Sequence, residues 1–281
     1  MAGGRRHRGT SAGARSLSAS RRILILAPHP DDEIVACGIA ARRARFAGAK
    51  IFVLYLTTGV PSRDLLWPWQ RNSQEARVSR RRDEALAAAD FLGFEPAGFL
   101  DVASRRLIAH LDAAASALDQ ALETTKAGEL WVPAFEGAHQ DHDAANALAA
   151  RRRDRLPVWE FAAYNYAGGK TRSNRFADAR GGVIELHLNA DEAMLKHRAL
   201  ALYASERGNL AHINVVEEAY RPLPRHDYGT PPHTGRLFRE RFHWVPFRHP
   251  RIDFAPSAEV YAALGRWHSA RTLDIAPIAD G

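Results

Sequence analysis

Ile23-Leu24-Ile25-Leu26-Ala27-Pro28-His29-Pro30-Asp31-Asp32-Glu33 is the stretch on which the reading of this chain turns. The apolar run that ends at Pro28 has the form of a central parallel strand buried on both faces. An imidazole and three carboxylates at the mouth of such a strand are costly to desolvate unless they bind or react with something. Downstream, residues 33–47 read as a helix stopped by Gly48, and 51–57 as a second strand rich in β-branched and aromatic residues. A loop over 58–72 carries Trp67 and Trp69, and an Arg, Glu and Ala-rich helix over 73–92 ends at Gly93. A strand at 97–100, a helix over 107–125 and a strand at 129–132 follow. Strands alternating with helices predict a Rossmann-like, doubly wound α/β fold: a mostly parallel sheet with helices on both faces.

Beyond Pro157 the alternation is less clean. Strands are expected at 158–162 and 183–188, and a helix over 190–204 with Asn189 as its cap. Residues 220–256, crowded with Pro, Arg, His and aromatics, have no assignable pattern. The expected organisation is a basic tail over 1–21 and one domain over 22–270, followed by a tail over 271–281. Within the domain, a core over about 22–165 precedes a C-terminal extension over about 166–270 that covers the cleft.

The 281 residues, 46% hydrophobic, suffice for a substantial core. The net charge of +7 arises in the tail: taking the six arginines of residues 1–22 from the 39 Lys and Arg leaves 33 against 32 acids. A neutral body argues against a nucleic-acid partner. The tail has the composition of a disordered segment, or of an organellar transit peptide. No run approaches the roughly 18 apolar residues of a membrane span. Cys37 stands alone, so no internal disulfide forms, in keeping with an expected cytoplasmic setting.

A second polar cluster, His139-Gln140-Asp141-His142, follows the apolar run 130–133. Both clusters fall where a strand ends and a helix begins, the crevice in which open parallel sheets bind ligands. His29 and Asp32, three apart, suit one ion, with His142 as third ligand. Two histidines and a carboxylate leave the open position of a catalytic zinc site, and the same donors suit ferrous iron or cobalt. Asp31, left off the metal, is placed to take a proton from water. Each cluster taken singly also fits helix N-caps and first-turn acids; their joint occurrence favours the metal. No glycine separates Ala27 from Asp32, which excludes a Gly-rich phosphate loop.

These motifs, His29–Glu33 and His139–His142, resemble those of the PIG-L (LmbE-like) family of zinc-dependent N-deacetylases. The resemblance covers about residues 22–150, including Thr57-Thr58-Gly59 and Arg81-x-x-Glu84, and fades beyond. It implies metal on His29, Asp32 and His142, with Asp31 as general base. It also implies an imidazolium at His139, oriented by Asp141, that stabilises an oxyanion. Arg81 matches a position implicated in gripping substrate, though it is one of four arginines between 77 and 82, and a solvated helix face fits it as well. Asp101 is a candidate for binding a sugar hydroxyl, or a plain turn residue. Trp67 and Trp69 read more as loop anchors than as stacking platforms, and Tyr164-Asn165-Tyr166 more as packing than as cleft lining. Residues 225–228 and 231–233 are candidates for a rim. The expected activity is removal of an acetyl group from an N-acetylglucosamine-type glycoconjugate. A non-sugar amidase and a non-catalytic metal- or carbohydrate-binding domain are the alternatives. Retention of Asp31 and His139, which a binder does not need, speaks against the last. A homo-oligomer is left open.

Overall fold

The computed structural model describes residues 21–178, 180–247, 249–250 and 252–270. The two expected tails, apart from Arg21, lie outside these residues. Strands β1 (Arg22–Ala27), β2 (Lys50–Tyr55), β3 (Glu95–Phe99), β4 (Glu129–Pro133) and β5 (Val158–Phe161) pair in parallel in the order β3-β2-β1-β4-β5. A short hairpin follows, β6 (Tyr164–Asn165) with β7 (Arg172–Ser173). Strands β8 (Ile184–His187) and β9 (Glu217–Pro222) complete a seven-stranded sheet, β9 lying antiparallel beside β5 and β8 at the edge. The helices are α1 (Asp32–Phe46), α2 (Gln74–Leu92), α3 (Leu111–Thr125), α4 (Gln140–Ala150), α5 (Ala190–Ala201), α6 (Arg207–Leu210) and α7 (Ser257–Ala270).

Alternation along the strands makes two cores. Leu24, Leu26, Leu54, Leu130 and Val132 pack against α3, α4 and α7. Ile23, Ile25, Val53 and Trp131 pack against α1, α2 and α5. This is the expected doubly wound arrangement, with the strand order reversing between β1 and β4. The differences from expectation are local. A 3-10 turn, Leu107–His110, precedes α3, and another, Pro68–Ser73, occupies the end of the long loop. Helix α5 stops at Ala201, and β9 and α7 were not anticipated. Among the described residues no helix is long and apolar enough to cross a membrane.

Helix α1 is kinked at Cys37, whose φ and ψ of −149° and 19° are not helical. The kink diverts the Ile39 and Ala40 N–H groups to the Glu218 carboxylate, at 3.0 and 2.8 Å. The Val35 carbonyl accepts instead from Lys196 Nζ and from Asn174 Nδ2. Lys196 and Glu218, both fully buried, pair at 2.9 Å. The helix that carries the first motif is therefore completed by residues of the C-terminal third.

Candidate metal centre and active site

The carboxyl ends of β1 and β4, adjacent at the point where the strand order reverses, deliver the two motifs to one place. His29 lies in the turn after β1, Asp32 opens α1, and His142 sits in the first turn of α4, whose residues are all buried. Each of the three offers a ligand atom within 4.8 Å of the others. Both ring nitrogens of His142 are buried without a hydrogen bond; Nε2 stands 3.1 Å from Asp32 Oδ1 but is not aligned to bond to it. The unpartnered Nε2 beside a carboxylate is what a divalent ion would satisfy, so the donor set fits a metal. His29 bridges two carboxylates, Nδ1 to Asp32 at 3.0 Å and Nε2 to Asp141 at 3.1 Å. Burial opposes its charge, but those bonds push its pKa up to about 10. Burial would raise Asp32, yet the rings of His142 and His29 hold it far below the usual carboxylate range.

Asp31 stands beside this group with its backbone in the left-handed region, φ 120°. Burial pushes its pKa up to about 7, against the lowering pull of the Arg81 guanidinium 2.9 Å away. Arg81 is 3% exposed, ruling out a solvated helix face, and it also faces Glu206 and the Tyr203 ring. Gly59 is needed here, because at φ +69° a Cβ would come within 3.0 Å of Arg81 Nε and Pro30 Cδ. Glu33, fully buried, accepts from the Tyr203 hydroxyl and from the Asp31 N–H, and burial pushes it up to about 8.

His139 caps α4, its Nδ1 accepting the Asp141 N–H at 3.1 Å. That tautomer puts the ring hydrogen on Nε2. Burial, and then the charge on His29, hold its pKa well below 6.5. Asp141 Oδ2, which favours the charged ring, stands 3.5 Å from Nδ1. Asp141 itself is gripped by the N–H groups of Arg105, at 2.6 Å, and Leu107, at 3.3 Å. Arg105, at φ 69°, sends its guanidinium to the Pro250 and Ile252 carbonyls, and Gln140 bonds Asp253. Pro250, Ile252 and Asp253 are thereby fastened to the loop before α3 and to the first residue of α4.

A cavity of about 530 Å3 opens over this centre, lined by His29, Asp31, Asp32, Arg81 and His139 among others. Asp101 is exposed and does not line it. Ser104, three residues on, does, with its hydroxyl 3.2 Å from His29 Nε2; the position after β3 on the same sheet edge was the signal for it. Trp67 lines the cavity, whereas Trp69 is 74% exposed and stacks on it at 5.3 Å. Tyr164 also lines it, ring to ring with His142 at 5.3 Å, contrary to the packing role expected of it. The rim comes from Phe238, Arg239, Arg241, Phe242, His249, Pro250, Ile252 and Asp253 and not from 225–233: His226 pairs with Glu160 and Tyr228 packs on Phe135, both away from the cavity.

Fold and site together define a doubly wound α/β protein with a two-histidine, one-aspartate metal-binding geometry at its switch point. Within that class, residues 24–152 match the PIG-L family model, described as GlcNAc-PI de-N-acetylase. No curated protein matches. A deacetylase of the teicoplanin biosynthesis pathway is 19% identical with a TM-score of 0.59, over 73% of this chain and 99% of that one. N,N'-diacetylchitobiose deacetylase from Pyrococcus horikoshii is 15% identical with a TM-score of 0.52, over 76% and 88%. A 4-carboxy-2-hydroxymuconate hydratase from Pseudomonas putida is 18% identical with a TM-score of 0.54, over 73% and 98%. At these identities the likeness is one of fold.

Proposed function

We propose that this chain is a metal-dependent N-deacetylase that hydrolyses the acetamide of an N-acetylated substrate, an N-acetylglucosamine-type glycoconjugate, with zinc as the metal. The observation that carries the reading is His142, orphaned at both ring nitrogens beside Asp32 and His29, with Asp31 outside that trio and within reach of the same cavity. A divalent ion held by His29, Asp32 and His142 supplies Lewis acidity toward water and the amide carbonyl. Asp31, pushed up to about 7, is matched to taking a proton from water near neutrality and returning one to the leaving amine. Arg81 keeps that carboxylate aimed. His139, neutral with its hydrogen on Nε2, offers a donor to the oxyanion that forms at the carbonyl. A plain binding module has no use for a buried, arginine-held Asp31. The sugar assignment rests on family likeness, and the non-sugar amide is the competing substrate.

The test pairs metal analysis with acetate release from N-acetyl glycosides and from simple N-acetyl amines. One divalent ion per chain, lost in His142→Ala, together with acetate from the glycosides, is the expected result. A metal-free wild type, or full occupancy in both His29→Ala and His142→Ala, would sink the centre. Release only from non-sugar amides would move the substrate class.

A further inference from the structure

Asp31 holds a backbone conformation that residues with a side chain rarely adopt, φ 120° and ψ −28°. Such a residue persists only where its surroundings over-determine it. Two grips do so here. On the main-chain side, the Asp31 N–H donates to Glu33 Oε2 at 3.1 Å. On the side-chain side, Arg81 donates to Asp31 Oδ2 at 2.9 Å and to the Pro30 carbonyl. Both grips lead to Tyr203, fully buried just after α5. Its hydroxyl donates to Glu33 Oε1, and the Arg81 Cζ stands over its ring, 5.4 Å from the centroid. The 3-10 turn that follows, Ala204–Glu206, closes the frame. Ser205 donates to Glu84 of α2 from its N–H at 2.9 Å and from its hydroxyl at 2.5 Å, and Glu206 stands 3.8 Å from Arg81.

We propose that Tyr203 is a positioning residue for Asp31, holding Glu33 through its hydroxyl and Arg81 through its ring so that the carboxylate stays fixed at the cavity wall. This rests on the deacetylase reading, and it adds to the site a residue outside the segment 24–152 that the family model matches. A base must stand within hydrogen-bond reach of the water it deprotonates, and a misplacement of about 1 Å can cost on the order of 10²-fold in rate. Without the phenol oxygen, Glu33 is released to turn away from the Asp31 N–H, and the strained residue can relax. A ring serving only to fill the core would need no hydroxyl at this point, because phenylalanine occupies the same space.

The experiment uses the metal-loaded full chain as wild type, Tyr203→Phe, Asp31→Asn and the double variant, with acetate release as the assay. Tyr203→Phe should lower kcat about tenfold, with KM and metal occupancy little changed. In the Asp31→Asn background the same change should lower the residual kcat less than about twofold, because the group it positions has already lost its function. An unchanged kcat in Tyr203→Phe, or an equal loss in both backgrounds, would overturn the role and leave Tyr203 a packing residue. Hydrogen exchange supplies a readout that needs no turnover. The Asp31 amide, freed from Glu33, should exchange about tenfold faster in Tyr203→Phe than in wild type, while the amides of β1 keep their rates. Equal Asp31 exchange in the two proteins, or a rise shared by β1, would also overturn the proposal. Faster exchange confined to Asp31, in a metal-loaded protein that hydrolyses no amide, would keep the brace and sink the deacetylase reading.

Discussion

Replacing Glu218 by Met should be among the most destabilising single changes in this protein, and worse than replacing its partner Lys196. Glu218→Met strands a fully buried ammonium, left with only the Val35 carbonyl, and removes the acceptor of the Ile39 and Ala40 N–H groups. Breaking a buried pair from one side costs about 3–5 kcal/mol, and each orphaned N–H adds about 1–3 kcal/mol. Partial relaxation and deprotonation of the lysine reduce the sum, so about 5 kcal/mol is expected, a third or more of a typical domain's stability. Lys196→Met is milder, about 2 kcal/mol, because the carboxylate keeps two backbone donors and the Val35 carbonyl keeps Asn174. The double variant should be more stable than Glu218→Met alone, since no uncompensated charge remains. Urea unfolding of the three variants and wild type, compared at constant m, reads the differences directly. A Lys196→Met cost equal to or above that of Glu218→Met, or a cost below 1 kcal/mol for both, would refute the view that this carboxylate completes the kinked helix.

Three other outcomes follow from the site. Asp31→Asn keeps shape and metal while removing basicity, so kcat on an identified substrate should fall by about 10²–10⁴-fold; near-normal turnover would remove Asp31 as the base. His139→Ala should lower kcat by about 10²–10³-fold with metal content and KM little changed, whereas joint loss of metal and activity would make the ring a brace for its loop. Chelator-treated protein should be less stable at pH 8.5 than at pH 5.5. Glu33, raised to about 8, binds a proton in the folded state that the unfolded chain gives up near pH 4.5, and stabilisation from His29, raised to about 10, is lost as pH climbs toward that value. A urea midpoint that rises with pH, or one whose pH dependence is untouched by Glu33→Gln, would contradict this assignment of the buried protons.

The parallel half of the sheet was legible because its strands declare themselves locally, as apolar runs closed by proline or glycine, and because each motif is short and contiguous. Strand β9 was not, since Glu217-Glu218-Ala219-Tyr220-Arg221-Pro222 reads as surface until Lys196 and Glu160 supply the partners that let Glu218 and Arg221 be buried. Helix α7 does bury Val260, Tyr261 and Leu264 at helical spacing, but it follows the Pro- and aromatic-rich stretch that obscured everything around it. At the site, Arg81 and Glu33 gain meaning only from distant contacts with Asp31 and Tyr203, which no local pattern encodes. The capping role of His139 was hidden for a related reason: spacing brings Asp141 near it, but only the three-dimensional cap reveals which nitrogen faces the backbone.

The fastening of Pro250, Ile252 and Asp253 bears on how this cavity could be remodelled. Its roof is tied through Arg105 to the loop that also holds Asp141 and through Gln140 to the start of α4, although the parties are more than a hundred residues apart in the chain. Grafting a relative's roof onto this scaffold would therefore transplant half a joint. A chimaera that exchanges residues 238–256 together with 105 and 140 keeps both halves, and those three segments are the smallest unit in which a new substrate preference can be moved without disturbing the histidines beneath.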